Sequence, residues 1–229
     1  HIWIMTNEVA QCGFACFIQK KNFLNYHLAL AALAAAFLGI MGCVSYNNTA
    51  DSIYNAPWVA ADITNEQDYL FGLTGYAHRA FDKTVYSTET FKDCSESFCN
   101  KCFDSRAPTL GLLIIALFCC FISFYVSMKR TFHDSPSLKY KGIASAMLAF
   151  CFGLAAYNSF KPCYAQIDTY LKNHKDTLAL ATPATTYEVT FGYSSGAKQV
   201  FSAFMIGIYI AVFNLLIPVV DASDEKEDE

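Results

Sequence analysis

Ten cysteines supply the most reactive side chains of this chain, and their spacing limits the chemistry they can do. Cys94, Cys99, Cys102 and Cys163 lie in polar segments, while Cys119, Cys120 and Cys151 lie in apolar ones. Cys12 and Cys16 precede the first apolar stretch, and Cys43 lies at its outer end. Cys99-x-x-Cys102 has zinc-ligand spacing, but no second close Cys or His pair completes a set of four. An even number of cysteines facing an oxidising compartment points instead to two disulfides. Three pairings are open. The preferred one closes a bridge within Cys94–Cys102 and ties the remaining cysteine to Cys163. Cys12 and Cys16, one helical turn apart beside a membrane, are candidates for S-palmitoylation. Equally, they complete the apolar face of an interfacial helix with Ile2, Met5 and Val9. Asn47-Asn48-Thr49 is a glycosylation sequon, placed so near an apolar stretch that a glycan on Asn47 is hard to attach.

Catalytic groupings are missing from the sequence. There is no hydrolase, phosphate-loop or zinc-protease signature. A membrane haem needs paired axial ligands, and His27 is the only histidine within an apolar stretch. The expectation is a protein without enzymatic activity, metal or cofactor. With 54% apolar and 16% charged residues, the composition excludes a disordered chain and a basic nucleic-acid binder. The net charge of −4 comes largely from the acidic tail at 221–229, which reads as a solvated end.

The elements that must position these residues are four stretches without Asp, Glu, Lys or Arg: Phe23–Val44, Ala107–Met128, Gly142–Phe160 and Val200–Val220. Each approaches the roughly 20 residues that a helix needs to cross the hydrocarbon core. None shows the period-2 alternation of barrel strands. The expected fold is an all-α membrane protein, a bundle of four transmembrane helices carrying a small extracellular β-sheet built from two disulfide-stapled loops. The lipid bilayer is then its first partner.

The expected divisions follow. Residues 1–22 form a cytoplasmic interfacial segment, 23–44 the first span, 45–106 the first extracellular loop and 107–128 the second span. A cytoplasmic loop at 129–141 leads to the third span at 142–160, the second extracellular loop at 161–199, the fourth span at 200–220 and the cytoplasmic tail at 221–229. Lys20 and Lys21, with Lys129, Arg130, Lys139 and Lys141, place both termini in the cytoplasm by the positive-inside rule, with the plasma membrane as location. The first apolar run exceeds a signal-peptide core, so it is expected to be retained as a span.

Strand signals occur in both outer loops. Thr84–Lys92 alternates Val85, Ser87, Glu89 and Phe91 with Tyr86, Thr88 and Thr90. Thr185–Tyr193 puts Tyr187, Val189, Phe191 and Tyr193 on one face, and Tyr69–Leu73 is a third candidate. Disulfides would compensate for the small core of such a sheet.

Within the spans, Ala31, Ala35 and Gly39, the pair Ala32 and Ala36, and the set Ala144, Ala149, Gly153 and Ala156 are small-residue stripes that let helices approach closely. Phe118, Phe121, Phe124 and Tyr125 form an aromatic cluster expected to face lipid or a neighbour. Asn25, His27, Asn158 and Asn214 are the polar residues at membrane depth, and Asn214 is expected to hydrogen-bond across helices.

Trp58, then Phe71-Gly72-Leu73-Thr74, then Cys94 with Cys99 or Cys102 resembles the first outer loop of the claudin superfamily, which carries a Trp, a Gly-Leu-Trp and a cysteine pair. Tyr187-Glu188-Val189-Thr190-Phe191-Gly192 ahead of Val200 is similar to that family's second loop, where a Tyr-Glu-Phe-Gly strand runs into the last span. The superfamily includes the peripheral myelin proteins, the stargazin-like channel subunits and, more distantly, the amastins. This chain differs in having Thr74 for the second Trp, Ala77 at the first cysteine's place and an acidic end in place of an aliphatic PDZ-binding one. The resemblance implies a non-enzymatic membrane protein that acts through its outer loops. Its role would be that of an accessory subunit of a channel or receptor, or adhesion and barrier formation, with a membrane-protein partner or a homo-oligomer as its complex. The competing reading is a pore-forming subunit of a connexin- or innexin-like large-pore channel, which shares four spans, stapled loops and an amphipathic N-terminal segment.

Overall fold

A computed structural model describes residues 2–64, 67–79, 86–173 and 190–219, with side chains described at 21–62, 68–79, 86–173 and 190–219. Four long helices dominate it: α1 (Ile2–Gly42), α3 (Cys99–Phe132), α4 (Pro136–Asn173) and α5 (Ser195–Leu216). All four are long and apolar enough to cross a membrane. They close into a ring in which α1 packs on α3, α3 on α4, α4 on α5 and α5 back on α1.

Small residues set the spacing of that ring. Ala32, Ala35 and Ala36 are buried on α1, and Ala146, Ala149 and Ala156 on α4. A side chain at Gly153 would run into the ring of Phe204 on α5, so this glycine is what lets the two helices meet there. Facing outward are Phe118, Phe121 and Tyr125 of α3, at 69%, 45% and 63% exposure. Phe124 instead packs partly into the bundle near Leu28 and Ile210.

Between α1 and α3 lie a short 3-10 turn, η1 (Val44–Tyr46), the helix α2 (Ala50–Asn55) and four strands: β1 (Val59–Thr64), β2 (Gln67–Phe71), β3 (Gly75–Arg79) and β4 (Ser87–Thr90). Thr49 starts α2 through a reciprocal capping box with Ser52. β5 (Thr190–Tyr193) comes from the segment between α4 and α5. The five strands form one antiparallel sheet in the order β4-β3-β2-β1-β5. β5 joins through Val59 opposite Tyr193 and Ala61 opposite Phe191.

The sheet shared by two loops therefore exists, but several limits differ from expectation. α1 is continuous from Ile2, where a separate interfacial segment was expected. α3 begins at Cys99 and α4 runs on to Asn173, so both helices extend well past the apolar stretches. The reason is periodic burial: Cys163, Ile167 and Leu171 recur every four residues on α4, as Cys99 and Cys102 open the buried stripe of α3. Pro108 and Pro162 sit inside these helices without ending them. Of the expected strands, Tyr69–Leu73 becomes β2 ending at Phe71. Within Thr84–Lys92 the strand is Ser87–Thr90, and within Thr185–Tyr193 it is Thr190–Tyr193. Val85, Tyr187, Glu188 and Val189 lie outside the described residues. β1 and β3 carried no recognised strand signal.

Candidate functional site

The sheet sits on one end of the bundle, and Trp58 is its seat. The residue immediately precedes β1 and is fully buried. Its backbone N–H donates to the Phe71 carbonyl at 2.8 Å, and its indole Nε1 donates to the Gly42 carbonyl at the end of α1, also at 2.8 Å. Its ring packs on Phe160 of α4 at 4.9 Å between centroids. One side chain thus ties the sheet to two helices. The indole N–H has a partner, as buried tryptophans require.

Phe71-Gly72-Leu73-Thr74 forms the β2–β3 connection and plugs into the same place. Leu73 is fully buried. Gly72 donates to the Gly75 carbonyl at 2.8 Å, closing the turn. Any side chain at Gly72 would meet the Ser45 carbonyl, which explains glycine at this close approach. Thr74 Oγ1 donates to the Tyr46 carbonyl at 2.9 Å, anchoring the turn to η1 through a hydroxyl. Phe98 completes the floor, edge-on to Phe71 at 5.5 Å, to Tyr76 at 5.5 Å and to Tyr170 at 5.0 Å.

Polar pairs join the strands on both faces of the sheet, Asp68–Arg79 on one and Tyr76–Glu89 and His78–Ser87 on the face that carries Phe71. Arg79 donates to Asp68 Oδ2 at 2.6 Å, and Tyr86 donates to the same oxygen at 3.0 Å. Burial and then this bond push the Tyr86 phenol up to about 12. Tyr76 donates to Glu89 Oε2 at 2.5 Å, and burial followed by that bond raises its phenol as well. Ser87 bonds His78 across the β3–β4 pair at 2.9 Å. Among the described residues no further strand pairs with the outer edges of β4 and β5, and Ser87 and Thr88 on β4 are exposed. An edge with free N–H and C=O groups is a surface that can bind another chain.

Two disulfides fix the helices beneath. Cys94 pairs with Cys99 across the entry to α3, and Cys102 of α3 pairs with Cys163 of α4. The Cys99-x-x-Cys102 pair is thereby split between two bridges. Cys163 lies on a helix, where the sequence suggested a loop, so the second bridge staples helix to helix. Cys43 is a free, half-buried thiol at the end of α1.

The other end of the bundle holds a grouping that the sequence did not reveal. Arg130 near the end of α3 is 1% exposed. Its Nε donates to Asp134 Oδ1 at 2.9 Å, its Nη1 to Asn214 Oδ1 of α5 at 2.5 Å, and its carbonyl accepts from Asn25 Nδ2 of α1 at 3.2 Å. Lys21 of α1 pairs with Asp134 Oδ2 at 2.6 Å, with both side chains at 7% exposure or less. Burial alone would raise the Asp134 carboxyl, but the bonds and charges of Arg130 and Lys21 outweigh it and hold the group below its ordinary value. Asn214 does hydrogen-bond across helices, as expected, and its partner is this arginine. The sequence marks Arg130 only as one of the flanking charges that orient the spans. The available signal was its position two residues past the second apolar stretch, facing Asn25 and Asn214 in the neighbouring spans.

The remaining marked residues fall as follows. Asn47 is exposed at the end of η1, and the hydroxyl of Thr49 in its sequon is engaged in the α2 cap. Phe191 packs on Tyr164 at 4.6 Å, and Gly192 has no neighbour where a Cβ would point. His27 bonds the Tyr209 hydroxyl at 2.9 Å. Asn158 is exposed. Cys12 and Cys16 lie in α1. Trp58, Gly72 and Leu73 converge at the seat, whereas Tyr187 and Glu188 lie outside the described residues. Compared with known proteins, the chain matches no family model and no curated relative.

Proposed function

We propose that this protein is a non-enzymatic, claudin-like four-span membrane protein of the plasma membrane, with both termini cytoplasmic, that binds neighbouring membrane proteins through its sheet. The observation that carries this reading is the pairing of β5 with β1, which makes one sheet from the two segments expected outside the membrane. Trp58, Gly72 and Leu73, the residues of the family resemblance, meet at the point where that sheet is seated. The two disulfides lie at the same end, in keeping with an oxidising exterior. The charged grouping of Lys21, Arg130 and Asp134 lies at the opposite end, in keeping with a cytoplasmic one.

The bundle acts as a scaffold, and the sheet with the outward face of α3 provides the contacts. Exposed Phe118, Phe121 and Tyr125 suit lateral packing against a larger membrane complex, which favours an accessory-subunit role over pore formation. The test is purification in mild detergent with mass determination. Persistent copurification with an unrelated larger membrane protein supports the reading. A closed symmetric ring of this chain alone would instead support the large-pore alternative.

A further inference from the structure

Beneath β5, a groove of about 380 Å³ opens between α4 and α5. Tyr157, Tyr193 and Phe201 form its walls, buried Ala197 lies at its base, and exposed Lys198 and Ser202 stand at its rim. Its size falls within the usual range of small-ligand sites. The walls are held from behind: Tyr164 stacks on Tyr193 at 4.3 Å, Tyr193 hydrogen-bonds Tyr157, and the Tyr157 and Phe201 rings lie 6.0 Å apart.

Lys198 stands at the rim with no acidic partner among the described residues, whose ion pairs use Lys21, Arg79, Arg130 and Lys172. Its depth is also informative. Tyr157 and Phe201 fall at the sheet-side ends of their apolar stretches, and Lys198 lies just outside the fourth. In a bilayer that is the headgroup boundary, where aromatic rings reside and a lysine extends its amine toward the phosphates. Below the groove, Leu154 and Met205 are exposed at 37% and 48% and continue an apolar surface along both helices.

An occupant must therefore offer an anion at the rim and a long apolar body below it. We propose that the groove is a phospholipid site, with the lipid phosphate held by Lys198 and Ser202 and its glycerol end lying against Tyr157, Tyr193 and Phe201. The lipid would brace β5 from below. This inference goes beyond the functional reading above and rests only on the four helices crossing the bilayer.

The full-length protein in mild detergent, given dioleoylphosphatidylglycerol or dioleoylphosphatidylcholine, tests it by native mass spectrometry. The unmodified chain should retain one phospholipid of either kind through dilution. Lys198→Glu should weaken retention by at least about fivefold, as expected for losing one interfacial cation. Lys198→Arg should preserve it, and Phe201→Ala should reduce it while the charge remains. Lys172→Glu, at an exposed position of α4 away from the groove, should leave it unchanged. Excess inorganic phosphate should not displace the lipid. Equal retention by the unmodified chain and Lys198→Glu would overturn the proposal, as would displacement by inorganic phosphate.

Discussion

The indole N–H of Trp58 donates to the backbone carbonyl of Gly42 at 2.8 Å, so the last residue of α1 and the first anchor of the sheet are joined directly. That carbonyl is one of the groups a helix end leaves without an intrahelical partner. Trp58→Phe keeps most of the apolar ring but orphans the carbonyl, and should cost about 1–3 kcal/mol. Trp58→Ala also opens a cavity against Phe160 and should cost about 3–5 kcal/mol. Thermal unfolding in mild detergent measures both; a Trp58→Phe variant as stable as the unmodified chain would show that the hydrogen bond contributes little, and equal losses in the two variants would show that the ring packing does.

The two disulfides should differ in value. Cys102–Cys163 spans 61 residues and Cys94–Cys99 only 5. By chain entropy alone the longer closure is worth about 4 kcal/mol and the shorter about 2 kcal/mol. Cys102→Ser should therefore lower the unfolding temperature more than Cys94→Ser. Non-reducing peptide mapping should find Cys94 with Cys99 and Cys102 with Cys163, and all four alkylatable in the native protein would contradict both the bridges and the assigned topology.

Asp134 should make stability depend on acid. Its folded-state carboxyl titrates below its ordinary value of 3.8, so its contribution is complete above that pH and disappears as pH falls through the lowered folded value. Asp134→Asn should abolish this acid-dependent part. At neutral pH it should destabilise by about 3–5 kcal/mol, because Arg130 and Lys21 remain buried without their shared anion. Unfolding measured between neutral pH and pH 3 in the two proteins checks the sign. A steeper acid loss in the variant would contradict it.

Gly153 should tolerate nothing larger than hydrogen. A methyl there meets the Phe204 ring, and overpacking of this kind costs about 1–3 kcal/mol. In contrast, Phe118→Ser changes a residue that is 69% exposed and should leave the fold intact while weakening copurification with a lateral partner. Loss of helicity in Phe118→Ser would show that its ring belongs to the bundle's own packing.

The bundle was legible because four uncharged runs of membrane-spanning length have few alternatives. The shared sheet was legible because the segments around β4 and β5 are rich in alternating β-branched and aromatic residues. Other features were hidden by their local sequence. β1, Val-Ala-Ala-Asp-Ile-Thr, lacks alternation because Val59 and Ala61 face the bundle as small residues between Trp58 and the two neighbouring strands. The continuation of α4 past Pro162 was masked by the proline and by Lys161, while the deciding stripe of Cys163, Ile167 and Leu171 emerges only once α3 is beside it. The Lys21–Asp134–Arg130–Asn214 grouping draws on α1, α3, α5 and the turn at 134. No local pattern could have placed those four side chains together.

We propose that partner specificity resides in the sheet, with the outward face of α3 packing beside it, and cross-linking from the exposed edge of β4 checks this. A photoreactive residue placed at Thr88, activated in the native membrane, should capture a neighbouring membrane protein in a discrete adduct identified by mass spectrometry. The same probe at Leu215 of α5, which is 61% exposed, should yield mainly lipid adducts. Absence of any protein adduct at Thr88, alongside discrete protein adducts at Leu215, would contradict the account.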